Sequence, residues 1–312
     1  MAKRMISTAR TLAGTATLAV AGVVALFLPA VLPVTGLNAA TRSFSTDAFE
    51  SYRTRNFDVK NEDPEMAERV GAALEDALSR PVFDGLLPSV DNLGRVITVM
   101  LYPTTERFAA STDLEQSGGG SMAKVSGNKA KATKIVLDAS QPGLIESIVP
   151  HELAHARFYE SDLYHNNVPS WVSEGIAVAA ESEDSRNARA ALMKRALDSE
   201  ELAGALELMA TENPPNENRS LFYAEAYAAA AGLVNAYGSE KFAEFIAAVR
   251  YKSQTDALVD IYGIQPVDLE DLMLEWLEAH VPKDEGGTRA DGEPIFIKEG
   301  SGIAKAGGNP DQ

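Results

Sequence analysis

The chain has 312 residues, of which 45% are hydrophobic and 23% are charged. This composition suffices for a globular core and excludes a fully disordered chain or a protein with many membrane spans. The chain has no cysteine and only four histidines, which excludes disulfides, thiol nucleophiles and cysteine-ligated metal sites. A formal net charge of −17 makes nucleic acid an improbable partner, because phosphate backbones carry the same sign.

Residues 1–40 differ in character from the rest of the chain. Lys3, Arg4 and Arg10 are followed by no charged residue until Arg42, and the segment between them is rich in Ala, Val and Leu. A basic flank before a long apolar run is typical of a secretory signal or of an uncleaved N-terminal membrane anchor. Because the basic residues stay on the cytoplasmic side, both alternatives predict an extracytoplasmic protein: secreted, periplasmic or anchored at the outer face of the membrane.

The main domain is predicted to extend over residues 44–281 and to begin with strands. Asp63-Pro64 predicts a helix start, and the predicted strands are 52–59, 95–102, 122–125 and 132–138. After about residue 143 the pattern becomes helical, with helices predicted at 144–160, 171–182, 185–197, 200–210, 221–237, 240–250 and 268–280. Strands followed by helices indicate an α+β fold.

The motif that carries chemistry is His-Glu-Leu-Ala-His at residues 151–155. On a helix, residues four apart lie on one face one turn apart, so the imidazoles of His151 and His155 can bind one metal ion. Glu152 projects from the same turn and can reach a water on that metal without being a ligand. The alternative is an ordinary helix with two histidines, because this short pattern also occurs without a metal site.

A second segment, PSWVSEGIA at residues 169–177, begins 14 residues after His155. Ser170 can cap a helix there, and Glu174 then faces inward one turn later, with Trp171. A His-His-Glu set leaves the fourth position of Zn²⁺ open for water, as a hydrolytic site requires. The sequence therefore predicts one zinc ion per chain, although this donor set suits several other divalent ions.

HELAH, an 18-residue spacer and then Glu174 in P-x-W-x-x-E-G-x-A resemble the peptidase MA-like group of gluzincin zinc metallopeptidases. The resemblance covers roughly residues 44–281 and implies a zincin-like fold, in which a small mixed β-sheet packs on the HELAH helix and a mainly α-helical half follows. It also implies a peptide or protein substrate, with Glu152 as the general base. No motif for holding a free substrate N-terminus is recognisable, so we expect an endopeptidase whose substrate pairs with segment 134–138 as the edge strand.

The resemblance also implies a tyrosine that donates a hydrogen bond to the oxyanion, at the start of a later helix. This role falls on Tyr223, with Tyr227 one turn later as the second candidate. The alternative is that both tyrosines only pack in an amphipathic helix.

Two positions depart from the family pattern. Pro150 would lie inside a helix that began at Leu144, so we expect a kink or a helix that begins near Val149. Val178 stands one turn after Glu174, where some gluzincins carry an acid that supports a ligating histidine, and Glu181 is a weak candidate for that support. These departures motivate a second hypothesis, a catalytically weak or inactive zincin-like module that binds a protein or peptide. A metal hydrolase of non-peptide amides or esters is a third.

The two remaining histidines lie outside the motif. His165, in YHNN, is interpreted as a solvated loop residue rather than a substitute ligand or substrate contact. His280 ends the last predicted helix, where a structural cap is expected because a cation there is favoured by the helix dipole. Residues 282–312 contain seven glycines and no periodicity, which predicts a disordered tail.

Overall fold

The structure is a computed structural model that describes residues 48–112, 118–126, 129–212, 214 and 218–281. Its first half forms a sheet and its second half is helical, so the predicted α+β fold is confirmed. No helix within the described ranges combines the length and apolarity needed to cross a membrane. The predicted signal or anchor at 1–40 and the predicted tail at 282–312 lie outside the described residues and stay predictions.

Five described strands form one mixed sheet in the order β1-β2-β3-β5-β4. The inner strands β2, β3 and β5 run parallel, and β1 and β4 pair antiparallel at the two edges. The strands are β1 (Glu50–Arg53), β2 (Phe57–Asn61), β3 (Ile97–Tyr102), β4 (Gly119–Ser126) and β5 (Lys129–Asp138).

The expectation that segment 134–138 forms the edge of the sheet is wrong. This segment belongs to β5, which pairs with β3 on one side and with β4 on the other. Ile135, Val136 and Leu137 are all fully buried. An unbroken apolar run of this kind is typical of a strand covered on both faces, whereas the glycines that open β4 look like a loop in the sequence. The edge strand on this side is therefore β4.

The helices follow the predicted order, with a short π-helical turn (Leu144–Ile148) before α3. Helices α2 and α9 were not predicted from the sequence. The helices are α1 (Pro64–Leu78), α2 (Thr105–Thr112), α3 (Val149–Glu160), α4 (Ser170–Ala179), α5 (Glu183–Asp198), α6 (Gly204–Ala210), α7 (Arg219–Tyr237), α8 (Ser239–Ala248), α9 (Gln254–Tyr262) and α10 (Pro266–His280).

Helix α3 lies between two apolar cores. Leu153 and Ala156 pack with α1 and the sheet in one core. Phe158 packs in the other core, which the later helices form. Residues 149–158 are consequently all buried, and a helix buried on every side has little freedom to rotate or shift.

The packing of α4 on α7 fixes the position of the residues next to Gly175. A Cβ at Gly175 would lie 2.6 Å from the carbonyl oxygen of Ala226 and 2.8 Å from the Cβ of Ala230. Glycine is therefore required where the two helix backbones approach each other. This contact fixes α4, and with it the preceding residue Glu174, against α7.

Glu225 on α7 is a buried carboxyl group outside the HELAH site. Its side chain accepts a hydrogen bond of 2.8 Å from the backbone N–H of Ala203. Burial, aided by the charges of Glu207 and Glu270, raises the pKa of Glu225 to about 7 against the lowering effect of that hydrogen bond. Its pKa in the unfolded chain is about 4.3. The folded state thus holds more protons between these two pH values, and the free energy of unfolding falls as pH rises through this window.

We predict that Glu225→Gln, which keeps an acceptor for Ala203 but removes the charge, stabilises the protein at pH 8 by about 3 kcal/mol. The gain should shrink towards zero near pH 3, below both pKa values, where the wild-type carboxyl is protonated in both states. Urea unfolding at both pH values measures this, with the exposed Glu201→Gln as control. A gain of equal size at both pH values would contradict the account.

Candidate metal centre

The HELAH segment occupies the start of α3, and Pro150 shapes that start. The helix begins at Val149 with Pro150 in its first turn, where the missing N–H of proline costs no helical hydrogen bond. This is the second of the two outcomes expected for Pro150. His151, Glu152 and His155 follow within the buried part of the helix and are 7–8% exposed.

Three side chains converge on one point at the wall of a cavity. Glu174 Oε2 lies 3.2 Å from His151 Nε2 and 3.4 Å from His155 Nε2. The donor atoms of the three residues all lie within 4.8 Å of one another, a spacing at which they could hold a metal ion. In a tetrahedral zinc site with bonds of about 2.0–2.1 Å, neighbouring donors are about 3.3–3.4 Å apart. The two separations fit that geometry.

The charges at this point favour an ionised carboxylate. Burial opposes the ionisation of Glu174, but the charges and hydrogen bonds of His155 and His151 outweigh it and hold the pKa of Glu174 well below its usual range. Burial also opposes the charged form of His151 and lowers its pKa. The hydrogen bonds and charges of Glu174 and Glu181 outweigh this effect and raise the pKa of His151 to about 10. A metal ion bound here would compete with a proton for His151 Nε2, and its binding would release that proton.

Glu181 supports His151 from the side away from the ligand cluster. His151 Nδ1 donates to Glu181 Oε1 at 2.9 Å, and Ser147 Oγ donates to Oε2 at 2.9 Å. The Glu181 side chain is only 1% exposed. The acid that is missing at Val178 is thus supplied three residues later, just beyond the end of α4. Sequence spacing pointed to Glu181 only weakly, because this contact depends on how the chain turns after the helix.

His155 has a hydroxyl as its outer partner. Its Nδ1 lies 3.2 Å from Ser173 Oγ, on the residue that precedes Glu174. Ser173 was not predicted from the sequence, although its place in the PSWVSEG segment is the signal that could have identified it. A hydrogen bond to the outer nitrogen fixes the orientation of a ligating imidazole.

The edge strand β4 runs directly against Glu152. A Cβ at Gly119 would lie 2.8 Å from Glu152 Cγ and 3.0 Å from Glu152 Oε1. A larger residue at position 119 would therefore displace this carboxylate. Glu152 is not a member of the His151–His155–Glu174 cluster, but it lines the same cavity of about 500 Å³.

Of the two candidate tyrosines, the structure brings only Tyr223 to the cavity. Its ring lies 5.5 Å from the ring of His151. Tyr227 instead packs against Trp276 in the helical core, with 5.1 Å between the ring centroids. Burial, together with the charges of Glu174 and Glu152, raises the pKa of Tyr223. Its phenol therefore keeps its proton at neutral pH and can donate a hydrogen bond.

The interpretation of His165 as a solvated loop residue is wrong. His165 is 2% exposed, and its Nε2 donates to the carbonyl oxygen of Ile246 at 2.7 Å. Its local sequence is polar, and the segment that buries it lies 81 residues later in the chain. His280 donates from Nδ1 to the carbonyl oxygen of Trp276 at 2.7 Å and stacks on its ring, which fits the expected cap. Neither residue belongs to the ligand cluster.

The sequence also matches a family model. The model described as Peptidase MA superfamily matches residues 90–279, which is more than half of the chain. The matched range includes α3, α4 and α7, and so every residue placed at the cavity wall above. No curated protein sequence gives a significant match to the chain.

The geometry of the donor atoms predicts that Glu174→Gln and Glu152→Gln, two substitutions in the same cavity, affect zinc affinity differently. Glu174→Gln should lower zinc affinity by more than the roughly 10–100-fold that loss of an outer hydrogen-bond partner costs, because it removes the charged donor. Glu152→Gln should leave zinc affinity close to that of the wild type. Competition with a zinc chelator measures both values. Equal losses in the two variants would contradict the assignment of the donors.

Proposed function

The chain belongs to the peptidase MA superfamily, and on this premise we propose that it is a zinc-dependent peptidase of the gluzincin type. The observation that carries the proposal is the convergence of His151, His155 and Glu174 on one point beside Glu152. Two imidazoles and one carboxylate would hold Zn²⁺ and leave one position for a water molecule. A bound zinc ion supplies an acidified water and a Lewis acid for the substrate carbonyl.

Two side chains of the cavity would move or hold protons during hydrolysis. Glu152 would take a proton from the attacking water and return it to the leaving amine. Tyr223 would donate a hydrogen bond from its phenol to the oxyanion that forms on the substrate carbonyl. The position of Tyr223 next to His151, and its retained proton, support this role over packing alone.

The edge strand supports a peptide as substrate. β4 is the outermost strand on its side of the described sheet, and Gly119 and Gly120 at its start line the cavity. An extended peptide that added to β4 by backbone hydrogen bonds would pass directly beside Glu152. Such pairing engages the middle of a chain, which favours an endopeptidase. The peptide edge proposed here is β4, not segment 134–138.

The alternative of a catalytically weak or inactive binding module was motivated by Pro150 and by the missing acid at Val178, and the contacts at both positions are compatible with a metal site. Pro150 lies in the first turn of α3, directly after the π-helical turn Leu144–Ile148, and Glu181 supplies the supporting acid that Val178 does not. The proposal that the enzyme acts outside the cytoplasm, held at the membrane only through residues 1–40 if these are uncleaved, depends on the sequence of that segment.

The test uses the purified chain, a mixed peptide library and the variant Glu152→Gln. We expect the wild type to cleave internal peptide bonds, to lose activity with a zinc chelator and to regain it with added zinc. Glu152→Gln should retain its zinc and lose about 10²–10⁴-fold in kcat, because the general base is gone. The exposed Glu183→Gln serves as control.

Two outcomes would contradict the proposal. Full zinc occupancy without any cleavage that depends on Glu152 would favour the binding module. Cleavage of small amides or esters, but not of peptides, would favour a non-peptide hydrolase with the same site.

A further inference from the structure

Arg189 on α5 contacts both the carboxylate of Glu181 and the ring of Tyr223, although α5 contributes no ligand. Its guanidinium forms a bidentate salt bridge with the carboxylate of Glu181. Nε donates to Oε2 at 3.0 Å, and Nη2 donates to Oε1 at 2.5 Å. The Arg189 side chain is 18% exposed. A planar guanidinium matches a carboxylate in this way more closely than any other side chain does.

The carboxylate that Arg189 binds is the one that orients His151. Glu181 accepts bonds from Arg189, His151 and Ser147 together. An ionised carboxylate with a 1% exposed side chain needs such compensation, because loss of a donor would leave a buried charge poorly paired. The position of Glu181, and through it the ring orientation of His151, thus depends on Arg189.

The same guanidinium also faces the ring of Tyr223. Arg189 Cζ lies 5.5 Å from the centroid of that ring, within the range of a cation–π contact. The ring of Tyr223 in turn lies 5.5 Å from the ring of His151. One flat cation therefore touches both the support of a metal ligand and the ring that carries the proposed oxyanion donor.

We propose that Arg189 is a positioning residue that aligns His151 and Tyr223 with each other. Its bond to Glu181 fixes the His151 ring, and its contact with the Tyr223 ring fixes the phenol. The His151 part of this proposal needs only the metal site, whereas the Tyr223 part rests on the proposed peptidase function. Lysine at this position would keep the positive charge, but it could neither bind the carboxylate in bidentate fashion nor stack a planar group on the Tyr223 ring.

Arg186, one turn earlier on α5, offers a matched control. It donates to the backbone carbonyl oxygens of Ala179 and Glu181 but has no described bond to the Glu181 carboxylate. Arg186→Met therefore loosens the same loop without removing a donor from the carboxylate. A purely structural role for Arg189 would make the two methionine variants behave alike.

The test compares Arg189→Met, Arg189→Lys and Arg186→Met in the full chain, with Zn²⁺ and Co²⁺ as probes. Arg189→Met should lower zinc affinity about 10–100-fold, alter the visible absorption spectrum of the Co²⁺-loaded protein, and lower kcat more than it changes KM. Arg189→Lys should restore most of the zinc affinity but not kcat. Arg186→Met should match the wild type in affinity, spectrum and kcat, whatever its unfolding temperature.

A double substitution tests the Tyr223 part. If Arg189 acts on kcat through Tyr223, adding Tyr223→Phe to Arg189→Met should lower kcat by less than the product of the two single effects. Independent, multiplicative effects would overturn this part. A wild-type chain without peptidase activity would overturn it too, along with the proposed function, while affinity and spectrum would still decide the His151 part.

The His151 part would be overturned by either of two results. One is an Arg189→Met protein with wild-type zinc affinity and Co²⁺ spectrum. The other is an Arg186→Met protein with the same losses as Arg189→Met. If Arg189→Met fails to fold, Arg189→Lys replaces it, and a wild-type Co²⁺ spectrum in that variant would contradict the need for a forked cation beside Glu181.

Discussion

The site depends on one packing constraint, the burial of α3 between two apolar cores. Residues 149–158 are buried on all sides, so the helix cannot turn His151 and His155 away from the cavity without disrupting both cores. The close contact of α4 and α7 at Gly175 fixes α4, the helix that carries Glu174, against α7. Apolar packing thus fixes the helices, and the helices in turn fix the positions of His151, His155 and Glu174.

Because these helices are buried, the polar side chains that they carry at the site need hydrogen-bond partners. Ionised carboxylates and imidazoles in a buried place would be costly without partners. Each of them has one: Glu174 meets both histidines, and Glu181 meets His151, Ser147 and Arg189. The two imidazoles are also held at their outer nitrogens, His151 by Glu181 and His155 by Ser173, and such outer hydrogen bonds orient metal ligands.

The sequence predicted those features that depend on short-range spacing. The i, i+4 pair of His151 and His155 needs only one turn of helix, and Glu174 needs only one turn of the following helix. The predicted cap by Ser170 is wrong, because Pro169 occupies the N-cap position of α4 and Ser170 Oγ donates to the carbonyl oxygen of Glu212. Proline at position 150 allowed two outcomes, and the helix start that satisfies its ring is the one observed.

What the sequence could not predict depends on distant packing. Glu181 becomes a partner of His151 through the turn that follows α4, and His165 is buried by α8, far along the chain. The choice between Tyr223 and Tyr227 depends on which face of the alanine-rich helix α7 packs against α10. The edge of the sheet was misplaced because strand order is a property of the whole sheet, although the unbroken apolar run of Ile135–Leu137 was a signal for a central strand.

The central claim is that His151, His155 and Glu174 hold one zinc ion, and X-ray absorption at the zinc edge tests it most directly. His165 bonds to a backbone carbonyl and His280 caps a helix, so imidazole scattering would come from His151 and His155. We predict four nitrogen or oxygen donors at about 2.0–2.1 Å, with the outer scattering of two imidazole rings. A spectrum with one imidazole or none, or with six oxygen donors, would contradict it.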